Sequence, residues 1–187
     1  MNITKTLHVT TRRAWRAWLS KHFRTAKEVW LVYYRKETGK SRIPYNDAVE
    51  EALCFGWIDS IVKKLDTQRF AQRFSPRRPN APYSQANKVR LRRLIAQKKV
   101  RKDVRAALGN IQTEKFTIPP DILRAIKANA QAWRNFRKYS AAYQQIRIAF
   151  IDGARRRPQE FRKRLRYFLK MTEQGKQFGF GGIDKYF

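Results

Sequence analysis

Residues 28–36, EVWLVYYRK, constrain this chain more than any other stretch. Read as a strand, Val29, Leu31 and Tyr33 point one way and Trp30, Val32 and Tyr34 the other, so both faces are apolar. A strand of that kind needs cover on both sides, which predicts a central strand. Before it, Thr10 and Thr11 can cap a helix carrying Trp15, Trp18, Leu19 and His22 at i, i+3, i+4 and i+7. After it come a turn at Gly39 and a helix opened by Pro44, with Ala48, Glu51, Ala52 and Phe55 on one stripe and Val49 and Leu53 beside them. Gly56 is the expected stop. WIDSIVKKL and QRFAQRFSP then read as two strands joined near Asp66-Thr67, a hairpin.

Beyond Pro82 the period changes from two to 3.6. Asn87, Leu91, Leu94 and Ile95 make one stripe, and Pro119-Pro120 opens a helix with Ile122 and Ile126. Trp133 and Phe136 follow at i, i+3. Ser140 can cap a helix holding Tyr143, Ile146 and Phe150, and Pro158 starts a last one with Phe161, Leu165, Phe168, Leu169 and Thr172. The expected class is α+β: a small antiparallel sheet with packed helices in the N-terminal half, and an all-helical C-terminal half. The expected organisation is an α/β region over 1–110, a helical region packed on it over 111–176 and a tail over 177–187, together one compact domain.

The aromatic content (12 Phe, 8 Tyr, 5 Trp) is too high for disorder, and no apolar run reaches the length of a membrane span. The N-terminus lacks the apolar core of a secretory signal, and one cysteine makes no internal disulfide, so a cytoplasmic location is expected. Charge is the extreme feature, with 43 Lys and Arg against 14 Asp and Glu, net +29. Residues 1–60 hold 11 basic and 6 acidic groups, leaving 32 and 8 for residues 61–187. Such a surface attracts polyanions through a salt-sensitive field. Adaptation to the ionic environment of the host cell is the alternative source of the charge.

Several chemistries have no support in the residues. His8, His22 and Cys54 form no recognisable metal-ligand set, and no cofactor is expected. Cys54 falls near a helix C-terminus, where the dipole disfavours a thiolate, so it reads as packing. No phosphate-binding glycine loop or nucleophile elbow is present.

Two constellations remain. In the first, RFSPRRPNAPYSQAN (73–87), Arg73, Arg77 and Arg78 can fork onto phosphate or carboxylate, Tyr83 can stack on a ring, and Ser84 stands at an N-cap. The opposing reading is a loop whose arginines are solvated or paired with Asp59 or Asp66. Pairing of Asp59 with Arg73 depends on register, since a slip of one residue puts them on opposite faces. The second is a pair of basic helices, 88–105 and 155–170. Their candidate contacts are Arg92, Arg93, Lys98, Lys99, Arg101 and Lys102, then Arg155, Arg156, Arg157, Arg162, Lys163 and Arg166. They lack the acids that would make i, i+4 pairs.

WLVYYRKETGKSRIPYNDAVEEALCFGWIDS followed by RFSPRRPNAPYSQANKVRLRRLI resembles the YdeI/OmpD-associated, or bacteriocin-protection, proteins. The likeness runs from about Val29 to Lys176, and GARRRPQEFRKRLRYFLKMTEQGK is similar to the family's C-terminal helix. The matching positions are Cys54 to Asp59, Arg73, Phe74, Pro76, Arg77, Arg78, Ser84 and Asn87; Tyr83 stands where the family usually has Trp. The resemblance implies small cytoplasmic proteins linked to tolerance of bacteriocins or cationic peptides, and it implies no reaction. It also suggests that the charge is this protein's own adaptation.

Three functions follow as expectations. The leading one is a non-enzymatic protein of this family with an anion-receptive pocket walled by Trp57, Asp59, Arg73, Arg77, Arg78, Tyr83, Ser84 and Asn87, its partner an unidentified small anion or polyanion. The alternative is a nucleic-acid-binding protein using the two basic helices. The third is an enzyme on a small anion with Asp59 as base, a role that neighbouring arginines would oppose by lowering its pKa.

Overall fold

The computed structural model describes residues 2–179, which form two compact units: 2–83 with 90–111, and 84–89 with 112–179. In the first, β1 (Thr6–Leu7), β2 (Val29–Tyr34), β3 (Trp57–Lys64) and β4 (Arg69–Pro76) form one sheet in the order β1-β2-β4-β3. β2, β4 and β3 are antiparallel, and β1 adds a short parallel pairing, so the sheet is mixed. β2 is interior, as its pattern predicts.

The two faces of β2 are covered differently. Val29, Leu31 and Tyr33 join a core with Trp15 and Leu19 of α1 (Arg12–His22) and with Ala48, Val49, Ala52 and Leu53 of α2 (Tyr45–Cys54). On the other face Trp30 is buried outside that core, with the Lys63 ammonium 5.8 Å from its ring, and Lys40 stands 4.6 Å over Tyr34. Long basic side chains thus lie against rings on this face.

Thr11 caps α1 by accepting from the Ala14 N–H at 3.2 Å. α2 ends at Cys54, and Gly56 at φ +73° lets the chain turn directly into β3. The hairpin turn is tied by the Asp66 carboxylate, which accepts from the N–H groups of Gln68 and Arg69 at 2.8 and 2.7 Å. A partly buried ion-pair network joins α1 to α2. Arg12 reaches Asp47, Glu50 and Glu51 at 3.2, 2.9 and 2.6 Å, and Arg16 reaches Glu51 at 2.7 Å.

The expected basic helix over 88–105 is two helices, α3 (Gln85–Ala96) and the short α4 (Lys102–Ala106). Lys98 adopts φ 56°, which ends α3 in the manner of a left-handed cap. The basic residues between them are therefore not in register along one face.

The second unit contains α5 (Pro120–Lys127), α6 (Ala130–Phe136), α7 (Ala141–Asp152) and α8 (Pro158–Glu173). Its core is Ile122, Ile126, Phe136, Tyr143, Ile148, Ile151 and Phe168, with Phe161, Leu165 and Leu169 packed against it. Asn129 and Ser140 cap α6 and α7, and Pro158 is the first residue of α8, leaving Arg155, Arg156 and Arg157 ahead of the helix. Asn135 of α6 donates to the carbonyls of Thr172 and Glu173 at 2.9 and 3.0 Å, satisfying the last turn of α8. Of the glycine- and aromatic-rich tail, Phe180–Phe187 lie outside the described residues.

Candidate functional site

Several of the residues expected around an anion pocket hold other partners. Trp57 is fully buried, its indole N–H donating to the Phe23 carbonyl at 3.1 Å and its ring edge-on to Trp18. Asp59 is opposite Phe74, not Arg73, so adjacent Arg73 emerges on the other face of the sheet. Asp59 accepts from the Tyr45 hydroxyl at 2.6 Å. Burial first, and then this hydrogen bond and the carboxylate's charge, hold the Tyr45 phenol well above its ordinary pKa. Arg73 instead donates its Nε to Glu28 at 2.6 Å and its Nη1 to the hydroxyls of Ser60 and Ser75.

Arg77 folds back on its own loop. Its guanidinium lies 3.5 Å over the Tyr83 ring and donates to the Ala81 carbonyl. Arg78 is exposed. Ser84 is at the cap position before α3, its hydroxyl accepting from the Asn87 N–H at 3.3 Å, and the Asn87 side chain is buried. Within the first unit the carboxylate of Asp59 and the guanidinium of Arg73 thus hold different partners. Cys54 is buried, and burial, then the charge of Glu51, push its thiol up to about 11. That suits packing and opposes nucleophilic use.

The basic candidates divide as well. In the first unit Arg92 donates to the Ile111 carbonyl at 2.8 Å. Arg101 lies over Phe23 at 4.2 Å and pairs with Asp103 at 3.0 Å, so both arginines serve the fold. Arg93, Lys98, Lys99 and Lys102 are exposed on the end of α3, the turn and the start of α4. In the second unit Arg155 bridges Asp121 and Asp152.

α8 differs. Phe161, Leu165, Phe168, Leu169 and Thr172 take one side of the helix. At 100° per residue, Arg162, Lys163, Arg166 and Lys170 fall on a neighbouring arc. All four are exposed, and none is in ion-pair contact with an acid among the described residues. Arg164, off that arc, takes the first-turn acid Glu160 at 2.7 Å and the Phe150 carbonyl at 2.8 Å. An open surface depression of about 700 Å³ at the start of α8 is lined by Arg157, Pro158, Gln159, Glu160, Arg162 and Lys163. Tyr167 is also exposed on α8, beside Lys163 and Lys170 at i−4 and i+3. Sequence reasoning passed over it, although its position off the apolar stripe was a readable signal.

Residues 7–107 match the model of a domain of unknown function (DUF8412), and residues 115–175 match that described as bacteriocin-protection, YdeI or OmpD-associated. The chain belongs to the DUF8412 family and carries a YdeI/OmpD-associated region. The resemblance to YdeI/OmpD-associated proteins is thus confirmed over its C-terminal part, whereas the CFGWID and RFSPRR motifs fall inside the DUF8412 match. No curated protein and no solved structure matches the chain. No helix among the described residues is long and apolar enough to cross a membrane. The YdeI/OmpD-associated region contains the whole of α8, so the exposed basic arc lies within it.

Proposed function

We propose that this YdeI/OmpD-associated protein acts as a binder of polyanions, with the exposed arc of α8 as its contact surface. Total charge does not select that surface. Residues 1–83 with 90–111 carry 25 basic against 8 acidic groups, and 84–89 with 112–179 carry 17 against 5. Spatial arrangement favours it: exposed cations such as Lys98, Lys99 and Lys102 lie around a turn, whereas those of α8 share one helix face. The observation that carries the reading is that Arg162, Lys163, Arg166 and Lys170 share one helix arc with no acid in ion-pair contact among the described residues. Their long side chains gain from an external anion what Arg155 and Arg164 gain from internal ones.

A pocket for a small anion among Trp57, Asp59, Arg73, Arg77, Arg78, Tyr83, Ser84 and Asn87 has less behind it. Its carboxylate and its best-placed arginine already hold other partners. The family description speaks of bacteriocin protection. A chain of net +29 repels a cationic peptide, so protection by this protein would work by shielding an anionic target and not by sequestering the peptide.

The test is a titration of the full chain with fluorescein-labelled heparin in a salt series. Affinity should fall linearly on a log-log plot, and Arg162→Gln/Arg166→Gln/Lys170→Gln should flatten the slope by about 2, as expected for three lost cation contacts. An unchanged slope and affinity in that variant removes α8 as the contact surface.

A further inference from the structure

We infer that the polyanion is a single-stranded nucleic acid, on which Arg162, Lys163, Arg166 and Lys170 track the phosphates while Tyr167 stacks on a base. This deepens the polyanion reading and rests on it. The added observation is Tyr167, 50% exposed, the largest exposure of an aromatic ring among the described residues. It lies outside the apolar stripe of α8 and touches Phe178 edge-on at 4.9 Å, leaving much of its surface to solvent. A ring flanked by Lys163 and Lys170 is the pairing by which proteins hold an unpaired strand, cations on the backbone and an aromatic on a base face.

Alternative polyanions fit less well. In a duplex the base faces are stacked on one another, so a ring at the surface has nothing to stack on. An anionic bilayer attracts basic amphipathic helices, but those insert their apolar face. The apolar face of α8 is committed to the core through Phe161, Leu165, Phe168 and Leu169. An acidic protein surface would satisfy the cations and leave the phenol ring without a specific role. The depression at the start of α8 adds Arg157 beside Arg162 and Lys163; its one acid, Glu160, is held by Arg164.

The experiment uses the full chain and four probes: labelled oligothymidine, the same-length duplex, labelled heparin, and vesicles containing phosphatidylserine, at about 50 mM salt. Oligothymidine should bind more tightly than duplex. Tyr167→Ala should weaken oligothymidine about five- to hundredfold, leave heparin binding and the salt slope unchanged, and Tyr167→Phe should retain the affinity. Thermal melts of both variants establish that α8 is folded. If Tyr167→Ala binds oligothymidine like wild type, or duplex binds as tightly as single strand, this inference falls while the polyanion reading stands. Binding to vesicles alone, or to heparin alone, also overturns it. Binding to none of the four probes overturns both.

Discussion

Glu51 is the carboxylate on which the first unit most depends, and removing it gives a prediction of defined size. Its side chain is 4% exposed and receives the Arg12 Nε at 2.6 Å and an Arg16 nitrogen at 2.7 Å. The arginines are open to solvent, at 30% and 40%. That asymmetry sets the order of effects. In Glu51→Gln both guanidiniums can turn to water, Arg12 keeps Asp47 and Glu50, and Arg16 keeps the Lys99 carbonyl. Two charge-assisted bonds are lost, partly replaced by hydration, for a cost of about 2–3 kcal/mol. In Arg12→Met the carboxylates stay behind. Glu50 and Glu51 are nearly sealed and both lose Arg12, with Glu51 retaining Arg16, and weakening a buried pair from the cation side costs up to about 3–5 kcal/mol. The arginine variant should therefore be the worse of the two. Urea is the denaturant of choice, because guanidinium salts screen the pairs being measured. Four of the five tryptophans lie in the first unit, so indole fluorescence reports chiefly on it. With a slope of about 2 kcal/mol per M, midpoints should fall by about 1–1.5 M for Glu51→Gln and further for Arg12→Met. Losses below about 0.5 kcal/mol in both variants, or a larger loss for Glu51→Gln, would refute the asymmetry argument.

Three more outcomes are expected. The Thr4 hydroxyl, then Arg73 and the Trp30 indole, hold the Glu28 carboxyl below its usual range. Its contribution is full above the ordinary carboxylate pKa and is lost as pH falls through the depressed folded value, so the stability gap between wild type and Glu28→Gln should close on acidification from pH 7. The Cys54 thiol, raised to about 11 and buried, should resist an aromatic disulfide reagent in the native protein and react in urea. Gly56→Ala should cost about 1–2 kcal/mol in the same urea assay, since φ is +73° and the added carbon would meet Val104 at 3.4 Å.

The sequence pattern located most elements because their signals are local. Alternation found β2, Pro44 and Pro158 opened their helices, Gly56 closed α2, and Thr11 and Ser140 capped where expected. The break between α3 and α4 escaped because it depends on Lys98 adopting a left-handed backbone, which no composition rule demands of lysine. Register escaped for a different reason. Asp59 faces Phe74, and pairing shifts between Asp59 and Val62, an irregularity that alternation cannot reveal. One position of register separates an Asp59–Arg73 pair from the observed Asp59–Tyr45 and Arg73–Glu28 contacts.

The same distinction governs where binding can occur. In a chain with 43 basic and 14 acidic groups, the acids determine which cations are free. Some assignments are local and readable, such as Glu160 with Arg164 at i, i+4. The decisive ones are not: Glu28 meets Arg73 across 45 residues, Glu51 meets Arg12 across 39, and Asp121 meets Arg155 across 34. Two of these pairs withdraw an arginine, Arg73 or Arg155, that looked available from sequence, and each of the three ties residues together within its unit. Arg155 and Arg73 leave the pool of candidate contacts in this way, while the α8 arc remains. What the cationic surface can do therefore follows from how the acids are used to build the fold, and the count of arginines and lysines is a poor guide to it.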